Sequence, residues 1–215
     1  MKHASLFSVR IFKQISSIFA LKLTCLFFLS NVAYSQPKQK MSLLDLPPAI
    51  DTLTGQAVYT EVVSVSGVTA DLLYERAKSW LVSTFQSSKS IIDSEDKSSG
   101  TLISKPLISV LTGKKGLLDA NSNIHRVSLD IRCKDGRYRY ELTPLDYMAS
   151  PTEARLGGVA SLPLSTLTNT QIKRIRRKGE LYRSEYDDIW RIDSSYKTFI
   201  ERVKNAMSQP GKGEF

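Results

Sequence analysis

The feature that most constrains the fold is a stretch of strict alternation at residues 125–143. From His125 to Cys133, side chains that can pack in a core alternate with charged and polar ones, which is the period of a strand with one buried face. Asp135-Gly136 follows, a dipeptide that favours the tight two-residue turn of a β-hairpin. The alternation then resumes, with Tyr138, Tyr140 and Leu142 between Arg137, Arg139 and Glu141. We therefore predict a hairpin with one apolar face that lies on the core.

The other face of this hairpin is charged. Its basic residues are Arg126, Arg132, Arg137 and Arg139, and its acidic residues are Asp130 and Glu141. Opposite charges that face each other across a strand pair attract. We therefore expect the acids to pair with arginines of the neighbouring strand.

Shorter patterns on both sides of the hairpin predict the remaining elements. Residues 56–65 are rich in β-branched and aromatic side chains and predict a strand. From Ala70 onward, apolar residues recur at spacings of three and four, which predicts a helix with Thr69 as its N-cap. Strands follow at 90–93 and 101–110, and Pro106 predicts an edge position or a bulge in the second. A C-terminal amphipathic helix is marked by Tyr196, Phe199, Ile200, Val203 and Met207.

This order, β-α-β-β-β-β-α, is typical of the α+β class, in which helices cover one face of an antiparallel sheet. Residues 36–55 contain several prolines without a sustained period, which favours a linker. We interpret the chain as five segments: a signal peptide at 1–35, a linker at 36–55, an α+β core at 56–147, a polar loop with a basic segment at 148–185, and a C-terminal helix at 186–208 that packs on the domain.

The first 35 residues have the pattern of a cleavable secretory signal peptide. The start of the chain holds no acid and carries Lys2, Arg10, Lys13 and Lys22. The apolar stretch Leu23–Leu29 is too short to cross a bilayer. Ala33 and Ser35 place small residues at the two positions that signal peptidase reads. We expect export, cleavage before Gln36, and a mature protein in the periplasm or outside the cell.

Cleavage would leave too few histidines and cysteines for the commonest catalytic and metal sites. The mature chain keeps His125 and Cys133, so no intramolecular disulfide can form and no zinc cluster of several such ligands can be built. On one strand the two lie about 26 Å apart, beyond the reach of a nucleophile–base pair. We expect Cys133 to be buried, His125 to be a strand-end surface or packing residue, and no cofactor.

Other local patterns favour ordinary turns over binding sites. Asp93, Glu95 and Asp96 offer oxygen ligands, but their spacing lacks the glycine and the terminal glutamate of a calcium loop. The run Gly113–Gly116 lacks the spacing of a phosphate-binding loop and predicts a hairpin loop. Acidic residues are plentiful, yet nothing marks a catalytic pair. A carboxylate-based hydrolase is therefore the last of our functional alternatives.

Four stretches together carry a resemblance to a known family. They are Tyr59–Gly67 (YTEVVSVSG), Leu73–Trp80 (LYERAKSW), Asp96-Lys97 with Gly100, and Lys134–Tyr140 (KDGRYRY). Over residues 56–147 the chain resembles the domain of unknown function numbered 4468, which has a TBP-like fold and is found in exported proteins of Bacteroidetes-type bacteria. The resemblance implies a curved antiparallel sheet backed by helices and implies no activity.

Positive charge is concentrated in one segment of the mature chain. The full chain has 30 basic and 21 acidic residues. Residues 171–183 alone hold six basic residues and one acid. The candidate contacts with an anionic envelope lipid or glycan are Lys173, Arg174, Arg176, Arg177 and Lys178. Nucleic acid is not an expected partner of an exported protein, and a solvated loop or helix face is the simpler interpretation of this segment.

We expect an exported, non-enzymatic binding or interaction module. Its site would be the exposed sheet face or a cleft between the sheet and the C-terminal helix. Such a cleft, if open, would be lined by Tyr74, Trp80, Tyr138 and Tyr140, which are otherwise core residues. The alternatives are an envelope adaptor that uses the basic segment and a carboxylate-based hydrolase. The sequence leaves the ligand, the oligomeric state and the side of the outer membrane open.

Overall fold

The hairpin at 125–143 forms the centre of a large antiparallel sheet in this computed structural model. The structure describes residues 40–85, 91–111, 122–148, 161–182 and 187–209. All of them belong to a compact unit that begins at Gln39. The predicted signal peptide at 1–35 and the predicted loop at 113–116 lie outside the described residues.

The elements number nine strands, one short 3-10 helix and three α-helices within these residues. In chain order they are β1 (Lys40–Met41), the 3-10 helix (Leu43–Asp45), β2 (Tyr59–Ser64), α1 (Ala70–Thr84), β3 (Ile92–Asp96), β4 (Thr101–Ser104), β5 (Leu107–Leu111), β6 (Ser122–Lys134), β7 (Arg137–Met148), β8 (Ser161–Pro163), α2 (Leu164–Lys178), β9 (Leu181–Tyr182) and α3 (Asp187–Ser208). The predicted α+β class with a helix-backed antiparallel sheet is confirmed.

Seven of the strands form one sheet. Its main order is β2-β7-β6-β4-β3, with β8 on β7 and β5 on β6. β4 and β5 run one after the other along β6, separated at Lys105-Pro106. There the Val127 amide donates to the Pro106 carbonyl at 3.1 Å. The interruption predicted at Pro106 is confirmed, and within the described residues β5 has β6 as its single strand neighbour.

The predicted apolar face of the hairpin is buried, and the helices pack on it to form the core. On β6 the residues enclosed there are His125, Val127, Leu129, Ile131 and Cys133, and on β7 they are Tyr138, Tyr140 and Leu142. α1 packs over β4, β6 and β7, and α3 packs over β5 and against α1. Each large apolar side chain buried in this way contributes roughly 1.5–3 kcal/mol.

The turn of the hairpin is tied to the start of α1. The Asp135 carboxylate accepts from the Ala70 amide at 2.8 Å, so the turn supplies an acidic cap where the helix dipole is positive. The Gly136 amide donates to the Val68 carbonyl at 2.8 Å. Thr69 is the N-cap of α1, as predicted, and its hydroxyl accepts from an amide of the first turn at 3.3 Å. The turn and the helix N-terminus therefore hold each other in place.

The segment predicted as a linker packs on the domain in its described part. Met41, Leu46 and Ile50 are buried in the same core as the sheet. β1 pairs with β9, and Ile50 bridges to Ala57. Single apolar residues anchor this segment without a periodic pattern, which is why its packing is not visible in the sequence.

Helix α2 lies in the stretch that the sequence predicts as a polar loop with a basic segment. Its buried positions, Leu164, Thr168, Ile172 and Ile175, recur at helical spacing. The polar composition of the stretch masks this period, because one of the buried positions is Thr168, whose hydroxyl donates to the Gly55 carbonyl. The predicted loop is therefore wrong for residues 164–178.

Gly100 gives a sharp test of the packing between the β3–β4 turn and β6. Its φ is +66°, and an added Cβ would lie 2.6 Å from the Cys133 carbonyl oxygen. Gly67 has a similar φ of +79° with open space around it. We expect Gly67→Ala to cost about 1–2 kcal/mol from the left-handed backbone alone, and Gly100→Ala to cost about 1–3 kcal/mol more because β6 must shift.

Urea unfolding of the two variants checks this expectation. Equal losses in the free energy of unfolding would contradict the close approach of Gly100 to β6.

Candidate functional site

A groove of about 400 Å³ opens between α1, β5 and α3. Its apolar walls are formed by Trp80, Phe85, Leu107, Ile108, Leu111 and Phe199. Its polar residues are Thr84, Ser109, Ser195, Thr198 and Arg202. The groove thus lies between the sheet and the C-terminal helix, where the sequence predicts a cleft as one of two possible sites.

Three aromatic rings meet in this groove: Trp80 of α1, Phe85 directly after α1, and Phe199 of α3. The Trp80 ring centroid lies 5.7 Å from that of Phe199 and 6.1 Å from that of Phe85, and the two phenylalanine rings lie 6.4 Å apart. The rings are tilted or edge-on to one another, the arrangement that aromatic side chains prefer. Trp80 and Phe85 remain half-exposed, so their ring surfaces are available to a ligand.

The strand side of the groove exposes two leucine side chains. Leu107 is 50% exposed and Leu111 is 61% exposed, whereas Ile108 and Val110, which alternate with them, are buried. The Leu111 amide donates to the Ser195 hydroxyl at 3.2 Å. This contact ties the end of β5 to α3 and fixes the width of the groove at that end.

Arg202 is the single charged residue among the described residues that line the groove. Its side chain is exposed, and it makes no ion pair within the described part of the chain. The nearby hydroxyls are already committed to α3 itself: Ser195 donates to the Arg191 carbonyl at 2.8 Å and Thr198 donates to the Ser194 carbonyl at 2.9 Å. Among the polar groups that α3 contributes to the lining, the Arg202 guanidinium is therefore the one left free to meet a ligand.

Buried polar contacts hold α3 against the sheet beside the groove. The Tyr196 hydroxyl lies 2.6 Å from Nδ1 of His125, the residue opposite Ile108 in the β5–β6 register. The Tyr59 hydroxyl donates to Asp193 at 3.0 Å, and Lys197 pairs with the same carboxylate at 2.8 Å. These contacts satisfy polar groups that would be costly to bury alone.

The sequence-predicted cleft residues divide between the core and the groove. Tyr74, Tyr138 and Tyr140 are buried in the core, and Trp80 lines the groove. The sequence analysis missed the remaining lining residues. The positions on α3, at 195, 198, 199 and 202, do follow helical spacing, but nothing in the sequence indicates that β5 and α1 face them.

The groove carries no acid–base pair. Of the described residues that line it, none is Asp, Glu, His or Cys. Cys133 is buried in the core, and burial raises the pKa of its thiol to about 12. No group of three or more His, Cys, Asp or Glu in the described part of the chain is arranged to hold a metal ion.

The three acids considered as calcium ligands have separate partners. Asp93 pairs with Lys105 at 2.8 Å, and Glu95 pairs with Lys78 at 2.6 Å. Asp96 accepts from the amide and hydroxyl of Ser98 in the β3–β4 turn. These contacts hold the Asp96 pKa below its usual value.

The basic segment at 173–178 forms the end of α2. Lys173, Arg176, Arg177 and Lys178 are exposed, and Arg174 is half-buried. The last three cations of the helix stabilise its negative C-terminal end, and Arg176 also donates to the Thr52 carbonyl at 2.9 Å. Part of the charge therefore has a structural role. The side chains of Lys173 and Arg177 make no hydrogen bond or ion pair within the described residues.

The charged face of the hairpin differs from expectation. Arg132 faces Arg139 across the strands, and Asp130 faces Glu141. The ion pairs run along each strand instead, from Arg132 to Asp130 at 2.8 Å and from Arg139 to Glu141 at 2.7 Å. Arg126 does pair with an acid of β7. The prediction of cross-strand pairing is thus wrong for Arg132 and Arg139, because the two-residue turn sets a register that places like charge opposite like.

Residues 59–148 match the model of a family described as "Domain of unknown function (DUF4468) with TBP-like fold", which confirms the resemblance. A DUF4468 family protein from Bacteroides ovatus ATCC 8483 has a similar structure, with 16% identity and a TM-score of 0.54 over 78% of this chain and 95% of that chain. A TBP-like protein from Parabacteroides distasonis ATCC 8503 matches with 12% identity and a TM-score of 0.46 over 73% of this chain and 95% of that chain.

No curated protein matches the sequence. At such low identity the structural similarity establishes the fold alone. None of the helices in the described residues is long and apolar enough to cross a membrane.

His125 makes the stability of the domain sensitive to acid. Its burial lowers the pKa from 6.5 to about 4, although nearby Asp146 opposes the shift. Between pH 4 and pH 6.5 the His125 imidazole is therefore protonated in the unfolded chain and neutral in the folded chain. The free energy of unfolding should therefore fall by up to roughly 3 kcal/mol as the pH drops from about 6.5 to about 4.

Urea unfolding at several pH values checks this, with His125→Gln as the control. Carboxylates contribute equally to the pH dependence of the unfolding free energy in both proteins. The variant should therefore lose only the part of that dependence that comes from His125. Identical pH dependence in the two proteins would contradict the buried neutral histidine.

Proposed function

We propose that this chain, whose residues 59–148 carry the DUF4468 domain, is an exported, non-enzymatic binding module that holds an amphipathic anion in the groove between α1, β5 and α3. The observation that carries the proposal is that the groove combines apolar walls with a single guanidinium, that of Arg202, which has no acidic partner in the described residues. A concave, mainly apolar pocket with a few placed polar groups is the usual form of a small-molecule site.

The apolar walls favour a ligand with a hydrocarbon body. Leu107, Leu111 and the half-exposed rings of Trp80 and Phe85 expose apolar surface that a bound chain would remove from water. Removal of apolar surface from water contributes about 25 cal/mol per Å², from which the entropy lost on association is subtracted. The volume of about 400 Å³ is within the range of small-molecule pockets.

Arg202 favours an anionic head group on that ligand. A guanidinium presents a fork of N–H donors that matches the two oxygens of a carboxylate. Because Arg202 has no acidic partner in the described residues, a ligand carboxylate would not have to displace one. A fatty acid or a similar amphiphile combines both requirements.

The chemistry of the lining supports binding without catalysis. Acid–base and nucleophilic catalysis need titratable or nucleophilic groups within hydrogen-bond reach of the substrate. The described lining offers one arginine and the hydroxyls of Thr84, Ser109, Ser195 and Thr198, with no carboxylate, imidazole or thiol beside them. This composition suits retention of a ligand.

Export is supported by the pattern of residues 1–35. The positive start, the short apolar stretch and the small residues at Ala33 and Ser35 are typical of a signal peptide. An exported protein would meet free amphiphiles released from the envelope, which fits the chemistry of the groove.

N-terminal sequencing of the protein recovered from the periplasm or medium tests export. We expect Gln36 as the first residue, and Ala33→Arg should block cleavage because signal peptidase requires a small side chain there. A full-length chain that stays in the cytoplasm would overturn this part of the proposal.

Quenching of Trp80 by 11-bromoundecanoate tests the ligand. Trp190→Phe leaves Trp80 as the sole tryptophan and breaks no hydrogen bond in the described residues, since the Trp190 indole N–H has no partner there. We expect saturable quenching in this background. Arg202→Gln should weaken binding about tenfold because a charge-assisted hydrogen bond is lost, and Leu107→Gln should weaken it as well.

Arg177→Gln is the matched control, since it removes an exposed arginine from α2, away from the groove. Its affinity should equal that of the Trp190→Phe parent. Absence of saturable quenching, or equal losses in Arg202→Gln and Arg177→Gln, would overturn the groove as the site.

A further inference from the structure

Four cations converge at the tip of the β6–β7 hairpin on the sheet face opposite the core. They are Arg132, Lys134, Arg137 and Arg139, and all are exposed. The register places Arg132 directly opposite Arg139 and Lys134 directly opposite Arg137. Like charges in such positions destabilise a strand pair. The arrangement therefore carries a cost that folding alone does not explain.

Two acids hold two of these cations in a fixed orientation. Asp130 accepts from Nε and Nη2 of Arg132, and Glu141 accepts from Nη2 of Arg139, whose Nε donates to Thr60. In each guanidinium, Nη1 has no partner in the described residues. The acids thus leave a donor of each arginine available for a ligand.

The other two cations are unpaired. The side chains of Lys134 and Arg137 make no hydrogen bond or ion pair within the described part of the chain. Together with Val62 and Tyr138, the four cations line a concavity of about 400 Å³. We call this concavity the hairpin site. It shares no residue with the groove.

The hairpin site is built on a rigid base. The turn between Lys134 and Arg137 is clamped to the N-terminus of α1 through Asp135 and Gly136. The strands near the turn are paired on both sides, β7 with β2 over residues 137–142 and β6 with β4 over residues 129–132. Because the backbone and the two arginines held by acids are already ordered, binding loses less conformational entropy than it would at a flexible loop.

We propose that the hairpin site binds a phosphate group that carries two negative charges. Four cations and the two acids that orient them leave a net charge of about +2, which matches a phosphate monoester. Three arginines and a lysine supply N–H donors from several directions, which suits the oxygens of a phosphate better than the single plane of a carboxylate. The site is independent of the groove and of its ligand.

Titration of the mature protein with inorganic phosphate, followed by backbone amide NMR at constant ionic strength, tests the proposal. We expect saturable shifts at residues 132–139. Lys134→Gln combined with Arg137→Gln should weaken binding at least about tenfold, since two charge-assisted contacts are lost. Because this variant also removes opposed like charges, its free energy of unfolding should not fall.

Lys173→Gln combined with Arg177→Gln is the matched control, because it removes the same charges from α2. Shifts confined to residues 173–178, or equal weakening in both double variants, would overturn the hairpin site in favour of the basic segment. Shifts that sodium chloride reproduces at the same ionic strength would also overturn it, because they would report screening alone.

Phosphatidylcholine vesicles that contain phosphatidic acid distinguish the source of the phosphate. Binding to these vesicles that the hairpin variant loses supports a lipid head group as the ligand. Binding to inorganic phosphate without binding to vesicles supports a soluble phosphorylated ligand. Binding to neither probe would overturn the proposal.

Discussion

The register of the β6–β7 hairpin is the constraint on which the rest of the structure depends. Asp135-Gly136 closes the turn, and the clamp from Asp135 to Ala70 joins that turn to the start of α1. A slip of one residue would turn every side chain of the strand to the other face. It would expose Leu129 and Ile131, which are now buried, and would remove the apolar sheet face on which α1 and α3 pack.

The groove follows from the way the helices meet this sheet. α1 and α3 pack against each other, and α3 covers β5, which has one strand neighbour in the described residues. The buried contacts of Tyr196 with His125 and of Tyr59 with Asp193 fix α3 in that position. An apolar concavity remains between the aromatic rings of Trp80, Phe85 and Phe199 and the exposed side chains of β5. Its shape is thus a consequence of core packing and requires no separate structural device.

The same register also determines the chemistry of the opposite sheet face. At the hairpin tip it places Arg132 opposite Arg139 and Lys134 opposite Arg137. Two residues further from the turn on the same face, it places Asp130 opposite Glu141. Segregation of charge costs stability, and the pairs that run along each strand offset only part of that cost. The molecule therefore presents two surfaces of different chemistry, an apolar groove with a single cation and a rigid cationic site, which are suited to different ligands.

Local patterns in the sequence determined the hairpin, the turn, α1 with its Thr69 cap, α3 and the break at Pro106, because each depends on neighbours within a few residues. The sequence also carried the family resemblance over the core. Helix α2 and the packing of residues 40–55 were not visible, since Thr168 and scattered apolar residues such as Met41 are buried only by distant partners. The sequence indicated a cleft or the exposed sheet face as the site, but which residues line the groove and which cations converge at the hairpin site was decided by tertiary structure. Both depend on which residues lie opposite each other across strands and between helices, and alternation within one strand identifies its faces without identifying its neighbours.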